Sequence, residues 1–417
     1  MSDNKSILVV GGGISGITAA VEAAEVGYQV FLVEKKAYLG GRVAQNKQYF
    51  PKLCPPSCGL EINFRRIKNN SRIKFFTLSE IEQISGEEGA YEVKIKVKPR
   101  YVNENCTACG DCARACSIEI PNEFNYGMDK IKGAYLPHEF AFPMQYVIAP
   151  EIIGTEDAQK CKSACKYNAV DLEMKEKTLN LAVSSIIWAT GWKPFDPVRV
   201  EYYGYNKHSD VITNVLMERL ASPAGPTKGK IIRPSDEKEI GSIAFVQCAG
   251  SRDENYLPFC SAVCCLASLK QALYVREQYP EAKIHIFYID IRALGKYEDL
   301  YTKVAKDEKV FFIKGKVAEI IEDQGALKVT AEDQLSGKLM HETVDMVVLA
   351  TGMVPSTADT KVPATTLSYD ENGFIFSNGK NLGIYAAGCV KKPMDVASTV
   401  QDATAAALKA IQSTVRR

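Results

Sequence analysis

The amino-acid sequence predicts an α/β fold: two dinucleotide-binding domains built on parallel sheets, with a smaller cysteine-rich domain inserted into the first. Three observations carry that expectation. A strand, a glycine-rich loop, a helix, a second strand and an acid follow one another from Ser6 to Glu34. Strands of similar character return at 241–247 and 283–290, as a second domain of the same kind requires. Between 101 and 177 the composition shifts and cysteines gather. A length of 417 residues gives room for more than one core. With 46% hydrophobic and 24% charged residues, the balance is that of a folded globular protein and excludes disorder. Lys plus Arg is 51 against 50 for Asp plus Glu, a net charge of +1, so the composition implies no nucleic-acid partner.

Each element can be justified in order. Ser6–Val10 is a β-rich run leading into Gly11, Gly12, Gly13, Ile14, Ser15 and Gly16, and an Ala-rich helix follows. Gly11 permits the tight turn, Gly13 lets a pyrophosphate approach the backbone, and Gly16 lets helix and strand pack closely. The first helical turn, with Ile14 and Ser15, offers unpaired N–H groups to phosphate. Glu34, with Lys35 after it, ends the second strand, where a carboxylate can accept both ribose hydroxyls of an adenosine without a 2′-phosphate. Gly40, Gly41 and Arg42 resemble the second glycine pair of two-dinucleotide-domain flavoproteins. The Ala-Thr-Gly turns ending in Thr190–Gly191 and Thr351–Gly352 resemble the strand-end motif of the same group. A last strand, the Gly388–Cys389 turn and a helix beginning near Asp395 resemble its closing flavin motif, with Cys389 replacing the usual Asp as a packed thiol or tuning group. FAD is therefore expected rather than NAD. In the second domain the strand at 241–247 runs into Cys248, Ala249, Gly250, Ser251 and Arg252 instead of a phosphate loop, which predicts a scaffold without its own nucleotide site.

Cysteine is the unusual component, 13 against only 4 histidines. The polar N-terminal tail leads straight into a strand with no secretory pattern, and no apolar run approaches the about 18 residues of a membrane span, so a cytoplasmic protein is expected. In a reducing compartment, clustered cysteines read as metal ligands before disulfides. Cys106, Cys109, Cys112 and Cys116 follow the C-x2-C-x2-C-x3-C spacing of an iron–sulfur motif. Cys161 and Cys165 supply only the C-x3-C end of a second motif. In two-cluster ferredoxins the fourth cysteine of each motif serves the other cluster. That rule assigns one [4Fe-4S] cluster to Cys106, Cys109, Cys112 and Cys165, leaving Cys116 and Cys161 over; local ligation through Cys116 is the alternative. Cys248, Cys260, Cys264 and Cys265 lie within 18 residues. With the last three at a helix start, their spacing brings them to one side, as a second cluster or as a buried or redox-active thiol group. Cys54 and Cys58, spaced C-x3-C beyond the glycine pair, are redox thiols, ligands of a further centre, or structural. The four histidines are scattered and read as neither ligands nor catalytic groups.

Together these features divide the chain into five stretches. An FAD-binding domain is assembled from 1–100, 178–235 and 338–417. A ferredoxin-like iron–sulfur insert occupies 101–177, and a nicotinamide-domain-like region with a cysteine site occupies 236–337. Pro137, Pro143 and Pro150 argue against a long helix in the insert, whose 118–155 stretch reads as a docking or lid loop. The whole chain resembles the A-subunit family of heterodisulfide reductases, and within it the A subunits of quinone-interacting membrane-bound oxidoreductase (Qmo) complexes. The residues that carry the resemblance are the Gly11–Gly16 loop, the Cys106–Cys165 insert, Gln247–Glu254 with the Cys264–Cys265 pair, and Ala386–Cys389. The resemblance implies a thioredoxin-reductase-like core, FAD, and Cys248, Cys260, Cys264 and Cys265 as [4Fe-4S] ligands, making two clusters in all. It further implies an electron-transfer subunit that is active with its partners. Those partners would be adenylylsulfate reductase, a membrane subunit handling menaquinol, and a heterodisulfide-reductase-like B subunit, with attachment to the inner membrane through them. A sulfur-oxidising complex, or a stand-alone flavin-dependent disulfide or NAD(P)H oxidoreductase, are the alternatives.

Overall fold

The computed structural model describes residues 6–49, 52–364, 367–376 and 383–415. The polar tail 1–5, Phe50 and Pro51 before Cys54, and Leu382 at the head of the closing motif lie outside them. The first domain is a five-stranded parallel sheet in the order Ile384–Ala386, Ser185–Trp188, Ser6–Val10, Gln29–Val33, Ile73–Phe76. Every residue of Ser6–Val10 is buried, as expected of a strand covered on both faces. Ile7 and Val9 face one core, formed with helices α1 (Ile14–Glu25) and α2 (Pro56–Asn69) and the C-terminal helix. Leu8 and Val10 face another, formed with an antiparallel sheet of Ser79–Glu87, Ala90–Val97 and Lys177–Val183. The alternation of Ile7 to Val10 is the period-two pattern of a strand serving two layers.

The insert is spliced between two paired strands. The chain leaves after Ala90–Val97 and returns at Lys177–Val183, with Val97 opposite Lys177. It holds the short helices α3 (Asp111–Ala115) and α4 (Glu156–Ala164) and two small hairpins. Its core is built from Cys112, Cys116, Cys161, Ile148, Ile152 and Ala158, an unusually large share of it cysteine. Between the hairpins and the first domain, the 122–142 stretch packs Phe124 and Ala141 into the core of α1 and α2.

The second domain is also a five-stranded parallel sheet, in the order Val211–Thr213, Met346–Thr351, Ser242–Ala249, Lys283–Tyr288, Val310–Lys314. Helices α5 (Asn214–Leu220), α6 (Cys264–Gln278) and α7 (Glu298–Ala305) cover one face. An antiparallel sheet of Val317–Asp323, Ala326–Asp333 and Lys338–Val344 covers the other. Val211–Thr213 and Met346–Thr351 thus pair in the second sheet, although both fall in stretches read from sequence as FAD-binding. A short buried β-branched strand looks alike in either sheet, and only pairing decides. Helix α8 (Val396–Val415) returns to pack on α1. Among the described residues no helix is long and apolar enough to cross a membrane.

Candidate flavin cavity and cysteine sites

A cavity of about 1400 Å³, counting its open mouth, lies between the C-terminal ends of the two sheets, the usual position for a dinucleotide. Ten of the residues expected from sequence line it: Gly11, Gly13, Ile14, Ser15, Glu34, Gly41, Arg42, Thr190, Gly191 and Cys389. At some of these positions close packing leaves no room for a side chain. A Cβ on Gly16 would stand 1.7 Å from the Gly11 carbonyl oxygen, and one on Gly41 would stand 2.8 Å from Gly13 Cα. Gly16 and Gly388 therefore act behind the wall, Gly388 against Ser15 and with its N–H donating to Asp402 at 2.8 Å. Lys35 is a correction. Its side chain is 74% exposed and pairs with Glu80, whereas Lys36 lines the cavity. The strand ends at Val33, and the bend that follows turns Lys36 rather than Lys35 to the cavity.

Glu34 accepts hydrogen bonds from Gly12 N at 2.6 Å and Lys36 N at 2.7 Å. Burial raises its carboxyl above the usual range, and those N–H groups pull the other way. Gly12, which sequence reading passed over, is what the carboxylate rests on. The residues fit FAD: a glycine cradle, the N-terminus of α1, and a buried Ser15 hydroxyl without a partner among the described residues. Asp395 also lines the cavity and receives the Tyr297 hydroxyl at 2.6 Å and Ser398 N at 2.7 Å, so it caps α8 from within the site. The Cys389 thiol donates to the Met394 carbonyl at 3.4 Å, and burial pushes its pKa up.

Sequence reading missed one wall entirely. Lys270 and Glu218, from α6 and α5, form an ion pair at 2.9 Å and are only 4% and 6% exposed, and both line the cavity. Gln271 donates to the same carboxylate at 2.8 Å. A charge in a helix reads as part of a solvated face, and no local motif marks Lys270 or Glu218 as buried.

The second cysteine set adjoins this cavity. Val263 lines it beside Met353 and Cys389, and Cys264 and Cys265 follow directly. The Cys264 thiol donates to the Thr351 carbonyl and that of Cys265 to the Asp290 carbonyl, each at 3.7 Å. Cys248 sits at the irregular end of Ser242–Ala249 with φ +56°. Burial, then the neighbouring cysteines, push Cys264 well above an ordinary thiol, and burial and Cys265 push Cys248 up to about 11. The helical explanation of the spacing is corrected. Helix α6 begins at Cys264 and Cys260 lies in the loop before it, so the loop, not a shared helical face, brings Cys260 to the site. Arg252, from the place of the missing phosphate loop, pairs with Asp290 beyond the next strand, the acid that would otherwise meet a ribose.

In the insert, Cys106, Cys109, Cys112 and Cys165 line one small cavity with Tyr146 and Tyr167. Burial raises Cys112 to about 11, with Cys106, Cys165 and Cys109 adding to it. Cys116 and Cys161 are turned away into the insert core. The Cys161 thiol donates to the Cys112 carbonyl at 3.4 Å, and burial beside Cys116 raises it to about 12. The two sets offer four thiols each, the donor chemistry of a cubane, where every thiolate holds its own iron. Among the described residues, no three His, Cys, Asp or Glu side chains converge on a single metal ion. Cys54 is half-buried and Cys58 exposed. Neither lines the flavin cavity, but Tyr49 does, and its phenol is raised by burial and then by Cys58 and Cys54. His208, His285 and His341 lie near Glu322, Glu342 and Thr330, while His138 is packed among Tyr38, Phe124 and Phe140.

Residues 6–53 match the FAD dependent oxidoreductase family. Among solved structures, the thioredoxin reductase of T. acidophilum superposes with a TM-score of 0.54 at 16% identity, covering 99% of each chain. The bacillithiol disulfide reductase of Bacillus cereus does so with 0.52 at 12%, again over 99% of each. The fold is that of the thioredoxin reductases, and the segment that begins the cavity is similar to FAD dependent oxidoreductases. The chain's similarity in sequence is narrower. One of the iron–sulfur A subunits of the CoB–CoM heterodisulfide reductase of Methanopyrus kandleri is 40% identical over 97% of this chain. The A subunit of the H2:CoB-CoM heterodisulfide,ferredoxin reductase of Methanothermobacter thermautotrophicus is 36% identical over 98%. Over nearly its whole length the chain is similar to the A subunits of heterodisulfide reductases, and it spans about 63% of the length of these relatives.

Proposed function

We propose that this chain is an FAD and iron–sulfur electron-transfer subunit of a heterodisulfide-reductase-like complex. One observation carries the reading: a cavity suited to FAD and a four-cysteine set share the wall at Val263 and Met353. FAD, when bound, supplies exchange between paired and single electrons. The chain's own residues do the rest. The Gly11–Gly16 loop and the start of α1 receive the phosphates, and Glu34 orders that loop through Gly12 N. Cys248, Cys260, Cys264 and Cys265 would hold one [4Fe-4S] cluster behind the flavin wall. Cys106, Cys109, Cys112 and Cys165 would hold a second in the insert. The Arg252–Asp290 pair fills the ribose position of the second domain, so electrons would come from protein partners rather than from NAD(P)H.

The finer reading rests on the resemblance to Qmo A subunits. The chain would work with a B subunit, relaying electrons between adenylylsulfate reductase and a menaquinol-linked membrane subunit in dissimilatory sulfate reduction. It would be cytoplasmic and held at the inner membrane by those partners. Anaerobic purification with native partners, iron analysis and an EPR-monitored redox titration test both levels. About 8 iron per chain and two distinct cluster signals are expected. Stoichiometric bleaching of the flavin by NADH or NADPH without any partner would overturn the relay reading.

A further inference from the structure

The insert does more than carry cysteines, because its 122–129 turn reaches into the wall of the flavin cavity. Arg42 lines that cavity together with Trp192. Its guanidinium donates through Nε to the Trp192 carbonyl at 2.7 Å and lies 4.7 Å over the Trp192 ring. Its Nη1 donates to the hydroxyl of Tyr126, from the insert, at 3.0 Å. The direction of that last bond is enforced. Gln45 donates its amide to the Phe124 carbonyl at 3.0 Å, which turns its Oε1 to Tyr126 at 3.1 Å. The single phenolic hydrogen must then go to Gln45, leaving a lone pair for Arg42.

The turn itself is fixed by Arg219, which is 1% exposed. Arg219 donates to Asn125 Oδ1 at 2.8 Å and to the Gln45 carbonyl at 2.9 Å, and covers the Phe124 ring at 4.6 Å. All these acceptors are neutral, and among the described residues no carboxylate forms an ion pair with Arg42. A cation aimed into a cavity with only neutral partners retains its charge for an anionic ligand. The adjoining glycines Gly13 and Gly41, packed too closely for a Cβ on Gly41, mark this end of the cavity as the one for phosphate.

We propose that Tyr126 is a positioning residue: it holds Arg42 toward the pyrophosphate of the bound dinucleotide, so that flavin affinity depends on the docked insert. The proposal rests on the FAD reading above. By linkage the dependence runs both ways, and FAD should in turn steady the 122–129 turn.

The test compares the full chain with its Tyr126→Phe variant, which keeps the ring and removes only the hydroxyl. FAD binding should weaken about tenfold or more, the scale of one hydrogen bond to a charged group. Binding of riboflavin, which has no phosphate, should not change. Hydrogen exchange in 122–129 should slow on FAD binding in the parent and slow less in the variant. Unchanged FAD affinity, or an equal loss for riboflavin, would overturn the proposal. A parent chain that binds neither flavin would overturn the FAD reading and this inference with it. An unchanged unfolding midpoint of the flavin-free variant separates positioning from a damaged fold.

Discussion

The buried Lys270–Glu218 pair makes a quantitative prediction. Replacing Lys270 with Met removes an ammonium held by Glu218 at 2.9 Å and by the Gln48 carbonyl at 2.6 Å. The carboxylate left behind is 6% exposed. It keeps three neutral donors, Gln271 Nε2 at 2.8 Å, Lys47 N at 3.0 Å and the Tyr274 hydroxyl at 3.4 Å. Removing one partner of a buried pair costs about 3–5 kcal/mol, because the other charge stays uncompensated. The remaining donors and the adjacent open cavity place this case at the low end, about 3 kcal/mol. Glu218→Leu should cost a similar amount by stranding the ammonium. The double variant, with two apolar side chains of similar size, should lose far less than the sum, giving a coupling of about 2–4 kcal/mol. A two-domain chain does not guarantee two-state unfolding, so the assay is native-state hydrogen exchange of α6 amides, which reads the opening of that helix directly. Single variants that each cost under about 1 kcal/mol and add without coupling would refute the picture of a desolvated pair.

Three further outcomes each turn on single residues. Cys165→Ser should lower the iron content by about four per chain while Cys116→Ser and Cys161→Ser leave it unchanged, because only Cys165 shares the cavity of Cys106, Cys109 and Cys112; iron lost with Cys116 and kept without Cys165 would reverse the assignment. Gly16→Ala places a methyl 1.7 Å from the Gly11 carbonyl, so the loop must move at a cost of about 3 kcal/mol or more, and the purified variant should lack flavin absorbance. His138 is held neutral, its pKa lowered to about 3 by burial with Arg219 and Lys36 adding to the effect. Its folded value lies below the unfolded one, so its contribution is intact above about pH 6.5, is lost progressively as pH falls toward 3, and fades by up to about 1.4 kcal/mol per pH unit in that window. His138→Leu should flatten the acid limb of a stability–pH profile, and an unchanged limb would show that the ring protonates without cost.

Much of the first domain was legible because its signals are local. The Ser6–Glu34 run, the Gly40–Arg42 pair and the Ala386–Cys389 turn each state their conformation within a few residues, and the structure gathers all three around one cavity. The grouping of Cys165 with the first insert motif was also legible, since it follows from a rule about spacing. What stayed hidden is set by tertiary pairing. Nothing near Val211–Thr213 or Met346–Thr351 says which sheet they join, nothing in α6 says that Lys270 faces inward, and Tyr126 meets Arg42 across 84 positions. Lys35 failed for a different reason: the residue type suited the site, but the strand ends at Val33 and the bend after it brings Lys36 to the cavity instead.

In the second domain, the strand end that carries the phosphate loop of a dinucleotide domain carries Cys248 instead. In a dinucleotide domain, the turn after the first strand must present backbone N–H groups to phosphate, and the acid after the second strand must stay free for a ribose. Here the first strand ends irregularly at Cys248, whose φ of +56° turns the chain back toward Leu257 rather than into a helix. The next helix starts only at Cys264. The displaced loop then lays Arg252 on Asp290, occupying the acid. Each change makes the others harmless. Without a phosphate loop the acid has no ligand to wait for, and without a ribose the arginine can neutralise it. Restoring nucleotide binding would therefore need the loop, the helix start and the acid to revert together, whereas the thiols of Cys248, Cys260, Cys264 and Cys265 are already free beside that strand end.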